Sequence, residues 1–277
     1  MLFKRQGAGR GRSEGAGATR GAAGAGLAPM SWEPPSSLEE RLTWLLVPAR
    51  ARLLWRVARE RAWGEAEIAL VPRLARRDRL SLDIGANVGV WAEAMRRHSL
   101  GVHAFEPNPK MFRLLGRAAG RGVVAHSLAL SDRAGIAELH VPRRARGYSN
   151  QGATLSGVAL GGAAHRSVTV ETRLLDAFGF DAVGLIKIDV EGHELAVIEG
   201  ARQTLLRCRP NLIVEIEEKH AGRPVPEVLE RIAAHGYRAH ALDGGILRPV
   251  EEIDLGARIG PGTPLGRYIF NWVFLPL

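Results

Sequence analysis

From Leu80 to the C-terminus, short unbroken apolar runs alternate with stretches whose apolar positions recur every three or four residues. The first pair is "RLSLDIG" (79–85), read as a buried strand, and "VGVWAEAMRRH" (88–98), read as a helix. "GVHAFEP" (101–107) is a second strand, and "NPKMFRLLGRAAG" (108–120) a second helix beginning near Asn108. "GVVAHSLALSD" (122–132) reads as one strand running into a loop, with "AELHVP" and "SVTVET" as extra strands around the Gly/Ser-rich stretch 147–164. The strand "VGLIKIDVEG" (183–192), the helix "HELAVIEGARQTLLR" (193–207), the strand "PNLIVEIEE" (210–218) and the helix "VPEVLERIAAHG" (225–236) continue the alternation. "YRAHAL" and "YIFNWVFL" close the chain. Repeated β-α units with strands apolar throughout predict an α/β fold, its sheet mostly parallel and covered by helices on both faces.

Upstream the period is helical. "SSLEERLTWLL" (36–46) offers Ser37 as an N-cap with Glu40 three residues on, and places Leu42, Leu45 and Leu46 on one face. Pro48 interrupts, and "ARARLLWRVARERAWGEAEIAL" (49–70) resumes. A basic amphipathic helix of this kind suits a membrane surface, but packing on a larger domain with its arginines in water is the preferred reading. Residues 1–29 hold 8 Gly and 7 Ala, too few side chains to build a core, and are expected to be a disordered tail. They contain no apolar segment of the secretory type, and Met30 is a second candidate start. The expected organisation is thus a tail at 1–29, a helical extension at 30–79 and one domain at 80–277. No apolar run approaches the roughly 18 residues needed to span a bilayer, so a soluble, cytoplasmic protein is expected.

Composition changes this picture little. With a single cysteine, Cys208, the chain has no internal disulfide and no cysteine-based zinc or CxxC redox site. The net charge of +9 raises the question of nucleic acid. Much of the excess lies in 1–29 and in the arginines of 50–61, however, and the body after Leu80 is not strongly basic. A specific nucleic-acid partner is therefore not expected.

In sheets of this kind ligands bind beyond the carboxyl ends of the strands. The polar residues there are Asp83, Glu106, Asp132, Asp189 with Glu191, and Glu215 to Glu217, a set of acids rather than phosphate-gripping lysines. After Asp83 the loop "GANVG" carries Gly85, Asn87 and Gly89. It has neither the G-x-G-x-x-G spacing of a dinucleotide site nor a G-x-x-x-x-G-K-[ST] phosphate loop. An acidic loop without lysine suits a nucleoside lacking phosphates, and S-adenosylmethionine is one. Asp83 would attract its positive end, the helix start after Gly89 would offer N–H groups to its carboxylate, Glu106 would accept both ribose hydroxyl protons, and Asp132 is placed for the adenine amino group.

"LDIGANVG", "AFEPNP", "LALSD", "IKIDVEGHE" and "PNLIVEIE", in this order, resemble the FkbM-type S-adenosylmethionine-dependent methyltransferases over about residues 80–277. The resemblance implies a class I, Rossmann-like methyltransferase fold with a mostly parallel seven-stranded sheet, and O-methylation of sugars or other small-molecule hydroxyls. It makes Asp83, Gly85, Asn87 and Gly89 the cofactor loop, gives ribose to Glu106 and adenine to Asp132, and puts Asp189 near the reacting methyl. An alcohol needs help to lose its proton. Glu191 is the first candidate base, with His193 and His220 as further candidates, while Glu194 is equally explained by the helix start. Mg²⁺ on Asp189 and Glu191 is the less favoured alternative, and no metal site is assigned. Lys187, in the strand body, is expected to reach an acid or the sheet end. The acceptor pocket is expected from 143–166, with Tyr148, Ser149, Asn150 and Gln151, and from 217–226. The rival readings are a nucleic-acid methyltransferase, which lacks support in "DVEG", and a non-catalytic protein that kept the fold.

Overall fold

A computed structural model of the protein describes residues 32–144, 147–148, 152–157, 160, 162–260 and 262–277. The expected tail and the candidates Ser149, Asn150 and Gln151 lie outside the described residues. The strands are β1 (Leu80–Ile84), β2 (Gly101–Phe105), β3 (Val123–His126), β4 (Ala129–Leu130), β5 (Gly135–Arg144), β6 (Gly147–Tyr148), β7 (His165–Arg173), β8 (Val183–Ile188), β9 (Asn211–Glu215), β10 (Tyr237–Asp243), β11 (Ile246–Pro249) and β12 (Asn271–Pro276). The helices are α1 (Leu38–Leu46), α2 (Ala49–Trp63), α3 (Val71–Leu74), α4 (Val90–Met95), α5 (Pro109–Ala118), α6 (Glu194–Glu199), α7 (Arg202–Cys208), α8 (Glu218–Ala221), α9 (Val225–Ala233) and α10 (Gly256–Ile259).

The main sheet runs β11-β10-β12-β9-β8-β1-β2-β3. β9, β8, β1, β2 and β3 pair in parallel, and β12 is antiparallel to both β9 and β10. The sheet therefore has eight strands rather than the seven expected. The extra one, β11, is the second arm of a hairpin with β10. Its turn is Gly244–Gly245, both at positive φ, the conformation that tight two-residue hairpins require. "DGGI" in the sequence carried that signal.

Strand alternation sorts the core onto two faces. Leu82, Ile84, Ile186, Ile188, Leu212 and Val214 pack with α6, α7 and α9. Val102, Ala104, Leu185 and Ile213 pack on the other face with Trp91 and Met95 of α4, Leu115 of α5 and Val71 and Leu74 of α3. All six positions of β8 are buried, which accounts for its apolar character, with Lys187 as the one charged residue in the strand. Each fully buried Val, Leu or Ile side chain of these faces contributes about 1.5–3 kcal/mol relative to exposure.

Three elements depart from the pattern. The run 122–132 is two strands: β3 stays in the main sheet, while β4 crosses to pair with β7 in a second sheet with β5. The helix expected over 193–207 breaks at Gly200, where a Cβ would stand 2.0 Å from the Ser131 carbonyl oxygen. In α1 the capping box forms, with Ser37 Oγ accepting from Glu40 N–H and Glu40 Oε2 accepting from Ser37 N–H. Yet Leu42, Leu45 and Leu46 are exposed, because α1 presents no buried face to the sheet. It is α2 that docks on α4 and α5, burying Leu53. Arg50 there is bonded to the Glu93 carboxylate at 2.7 Å and to the Ala118 carbonyl at 3.0 Å. Among the described residues no helix is long and apolar enough to cross a membrane.

Candidate active site

Strand order reverses between β1 and β8: β2 and β3 lie on one side of that pair, β9 on the other. The loop after β1 opens there, next to the chain leaving β8. Gly85 (φ +83°), Asn87 (φ +49°) and Gly89 (φ +89°) are all left-handed. At Gly85 a Cβ would meet the Asp189 carbonyl oxygen at 1.7 Å, and at Gly89 it would meet Leu115 Cδ1 at 2.6 Å. The two glycines thus let the loop press against the end of β8 and against α5.

Asp83 does not face this opening. As the neighbour of Leu82 and Ile84 in β1 it points to the α4 face, where Oδ2 accepts the Ala92 N–H at 2.7 Å and the residue is 1% exposed. Its carboxylate satisfies an amide in the first turn of α4. Burial pushes its pKa up to about 7, with the Ala92 amide and Lys187 acting the other way.

A narrow cleft lies over the strand ends, lined by Gly85, Asn87, Glu106, Asp189, Glu191 and His193 with an apolar wall from Leu128, Leu130, Leu139 and Leu155. Glu106 stands one residue beyond β2, so the strand pleat no longer dictates its direction. Its Oε2 accepts the Asn87 N–H and its Oε1 the Asn108 N–H, each at 2.7 Å. Each oxygen keeps acceptor capacity. Burial raises this carboxyl to about 7, against the two amides that favour its charge. Asn108 in turn caps α5, ahead of Pro109 at the first helical position.

Asp132, expected at the adenine, is outside the cleft lining, its side chain 41% exposed. The excursion of β4 to the second sheet carries it away from the sheet tip. His193 lines the cleft instead, its Nε2 2.8 Å from Ser131 Oγ, which donates to Asp132 Oδ1 at 3.1 Å. Burial lowers the His193 pKa, opposed by Asp132.

Glu191 (φ +51°), two residues before His193, has Oε2 2.5 Å from His220 Nδ1. Burial pulls the His220 pKa down, but the bond and charge of Glu191 outweigh it and the net movement is upward. Glu194 accepts the Gly192 N–H at 2.7 Å, closing the turn at the start of α6. The segment 152–157 folds over the cleft: Thr154 exchanges backbone bonds with His140, and its hydroxyl donates to the Glu191 carbonyl at 2.6 Å. Tyr148 is absent from the cleft lining and packs edge-on against Trp32.

A buried cluster joins Lys187 and the strand-end acids Asp189 and Glu215 to two residues that nothing in the sequence singles out, Glu65 and Asn271. Lys187 is fully buried; its Nζ donates to Asn271 Oδ1 at 2.8 Å and lies 3.8 Å from Glu215 and 3.9 Å from Glu65. Glu65 Oε2 also accepts from Trp91 Nε1 at 3.0 Å and from Asn271 Nδ2 at 2.9 Å. Burial alone would lower the Lys187 pKa, yet Asp189, Glu65, Glu215 and Asp83 together raise it. Burial and then Asp189 push Glu215 up to about 9, despite Lys187. Asp189 sits at about 7, raised by burial and partly restrained by Lys187. No local pattern announces that Glu65 and Asn271 meet. Among the described residues no group of three or more His, Cys, Asp or Glu is arranged to hold a metal ion.

A parallel sheet ordered β3-β2-β1-β8-β9, a reversed strand β12 beyond it, and a glycine loop at the switch point beside an acid following the second strand define the class I methyltransferase fold. The chain belongs to the FkbM methyltransferase family: the Methyltransferase FkbM domain matches residues 83–239, more than half of its length. It is 26% identical over 207 residues to the 31-O-demethyl-FK506 methyltransferase FkbM of Streptomyces tacrolimicus, covering 64% of this chain and 79% of that one. With the hexuronic acid methyltransferase AglP of Haloferax volcanii it shares 29% identity over 177 residues, covering 61% and 67%. Among solved structures, the methyltransferase FkbM from Methylobacillus flagellatus KT superposes with a TM-score of 0.44 at 15% identity, over 82% of this chain and 55% of that one.

Proposed function

We propose that the protein moves a methyl group from S-adenosylmethionine to a hydroxyl of a small-molecule or sugar acceptor, residues 80–277 forming the methyltransferase unit. The observation that carries this reading is Glu106: a buried carboxylate, both oxygens pinned by loop amides, lining a cleft with an apolar wall. That combination fits a ribose diol next to an adenine ring. The positions of Gly85 and Asn87 let the cofactor lie directly on backbone, where a phosphate-gripping lysine would have no role. S-Adenosylmethionine, when bound, supplies a methyl group on a sulfonium that departs as a neutral thioether. The relatives named above are methyltransferases of 31-O-demethyl-FK506 and of a hexuronic acid, which favours oxygen as the acceptor atom.

The chain's own contribution is placement and proton removal. Glu106 holds the ribose, and Leu128, Leu130 and Leu155 keep water from the base. Orienting the acceptor in line is worth up to about 7–11 kcal/mol of barrier. Glu191 accepts the hydroxyl proton, and His220 fixes the rotamer of Glu191 as a positioning residue. In this reading His193 with Ser131 takes the place at the adenine edge that Asp132 does not reach.

Calorimetric titration with S-adenosylmethionine and S-adenosylhomocysteine is the direct test; no binding at millimolar ligand ends the proposal. The ionised form of Glu106 is the better acceptor for two hydroxyl protons. With its pKa at about 7, affinity for S-adenosylhomocysteine is expected to fall about tenfold between pH 8 and pH 6. In Glu106→Gln binding should weaken by about 1.5–3 kcal/mol at pH 8 and lose that slope. A radiolabelled-methyl assay then separates the catalytic roles. Glu191→Gln should lower kcat by about 10²–10⁴-fold while leaving cofactor affinity unchanged. His220→Gln should cost less and alter the acidic limb of the pH-rate profile.

A further inference from the structure

Beside the nucleoside cleft lies a second cavity of about 650 Å³, and the two share Gly85, Asn87, Asp189 and Glu191 in their linings. Its size falls within the range of small-molecule sites. The inner end is acidic, with Asp189, Glu191 and Glu215, while the outer wall comes from α2 through Trp55, Arg56, Arg59, Glu60 and Trp63. This wall precedes the residues that match the family domain. Resting on the methyl-transfer reading above, the geometry points to α2 as the acceptor-recognition wall: Arg56 and Arg59 take an anionic substituent of a hydroxylated ring, and Trp63 stacks on the ring.

Three observations carry this. First, the arginines of α2 divide by task. Arg50 is held by Glu93 and Ala118, and Arg52 by the Thr43 and Val47 carbonyls, so both are occupied by the fold. Arg56 and Arg59 line the cavity, and among the described residues no carboxylate forms an ion pair with either; Arg59 lies over the Trp55 ring. Glu60, the acid on the same wall, folds back onto Gly64, where a Cβ would meet its Oε2 at 1.7 Å. Second, Trp63 is 86% exposed at the cavity edge, a large apolar ring face with no packing role in the monomer. Aromatic faces beside guanidinium groups bind flat, polar rings that carry an anion. Third, the polarity is graded. An acceptor with its anion at α2 directs a neutral hydroxyl toward the inner end, where Glu191 takes the proton, whereas a reversed acceptor would bring its anion against the Glu191 carboxylate and away from the arginines. Transfer then forms the oxygen–methyl bond as the sulfur–methyl bond breaks, with the proton passing to Glu191.

The test is calorimetry on the full chain, with and without saturating S-adenosylhomocysteine, using glucuronate, glucose 6-phosphate and methyl β-glucoside as probes. At least one anionic probe is expected to bind ten times or more tightly than the uncharged glucoside, and which one does so separates a carboxylate from a phosphate. Arg56→Gln combined with Arg59→Gln should erase that preference and leave S-adenosylhomocysteine affinity within twofold. Trp63→Ala should weaken all probes alike. Equal binding of the three, binding of none, or a preference that survives the double substitution overturns the inference. So does loss of S-adenosylhomocysteine affinity in the double variant, which would give the arginines to the cofactor's carboxylate. Failure of the wild-type chain to bind S-adenosylhomocysteine sinks the cofactor reading instead, and the titrations without it still judge the α2 wall.

Discussion

Gly85→Ala is expected to destabilise the protein by about 2–5 kcal/mol and to abolish nucleoside binding. Two costs add at this position. The backbone is left-handed at φ +83°, which any side chain penalises by about 1–2 kcal/mol. The new methyl would also stand 1.7 Å from the Asp189 carbonyl oxygen, a backbone atom at the end of a fully buried strand. Relief requires the loop to lift away from β8, and lifting it carries Asn87 off the Glu106 carboxylate. Urea unfolding measures the first effect through the midpoint at constant slope, and S-adenosylhomocysteine titration the second. Gly122→Ala is the control: its φ is +89° but nothing lies within 4 Å of the added carbon, so it should show only the conformational cost of about 1–2 kcal/mol. Equal losses at the two sites would show that the clash with Asp189 does not matter.

Lys187→Met should cost about 3–5 kcal/mol at pH 8, because it leaves buried acids without their cation. Methionine fills much of the same volume, so the loss isolates the ammonium. Asn271 Oδ1 would lose its donor, and Glu65 and Glu215 would face each other across an apolar side chain. The pH dependence has a defined sign. Asp83, Asp189 and Glu215 titrate in the folded protein at about 7, about 7 and about 9. Unfolded, they titrate near 4. Between those values the folded state binds more protons, so these groups favour folding at low pH and that contribution is lost as pH rises through the folded pKa values. Removing the lysine makes ionisation of the three acids harder still. The penalty should therefore shrink at pH 5.5, where they are protonated, and grow by pH 8. Glu215→Gln added to Lys187→Met should recover part of the loss. A penalty independent of pH would mean that lost packing, and not charge, dominates.

Much of the architecture was legible because it follows local periodicity. The β1 loop, the capped start of α5 at Asn108 and the succession of strands and helices along the chain stand where apolar runs, glycines and cap residues put them. The departures share a cause. Asp83 nears the end of its strand, but the two-residue alternation with Leu82 and Ile84 sends it to the α4 face. Asp132 follows what local periodicity presents as one strand, but that strand divides after His126 and its second part pairs elsewhere. Leu42, Leu45 and Leu46 share one face of α1, yet a helix two turns long buries its face only if a partner surface stands opposite.

The kind of fold, the glycine loop and the acid after the second strand are written into local sequence, since each depends on residues within a few positions of one another. The distribution of charge depends on packing: Glu65 meets Asn271 across 206 positions, His220 meets Glu191, and Arg56 and Arg59 of α2 line one cavity with the strand-end acids. Partners so far apart are chosen by the packing of whole elements, and the electrostatic energy that fixes their protonation exists only once burial has removed the water between them.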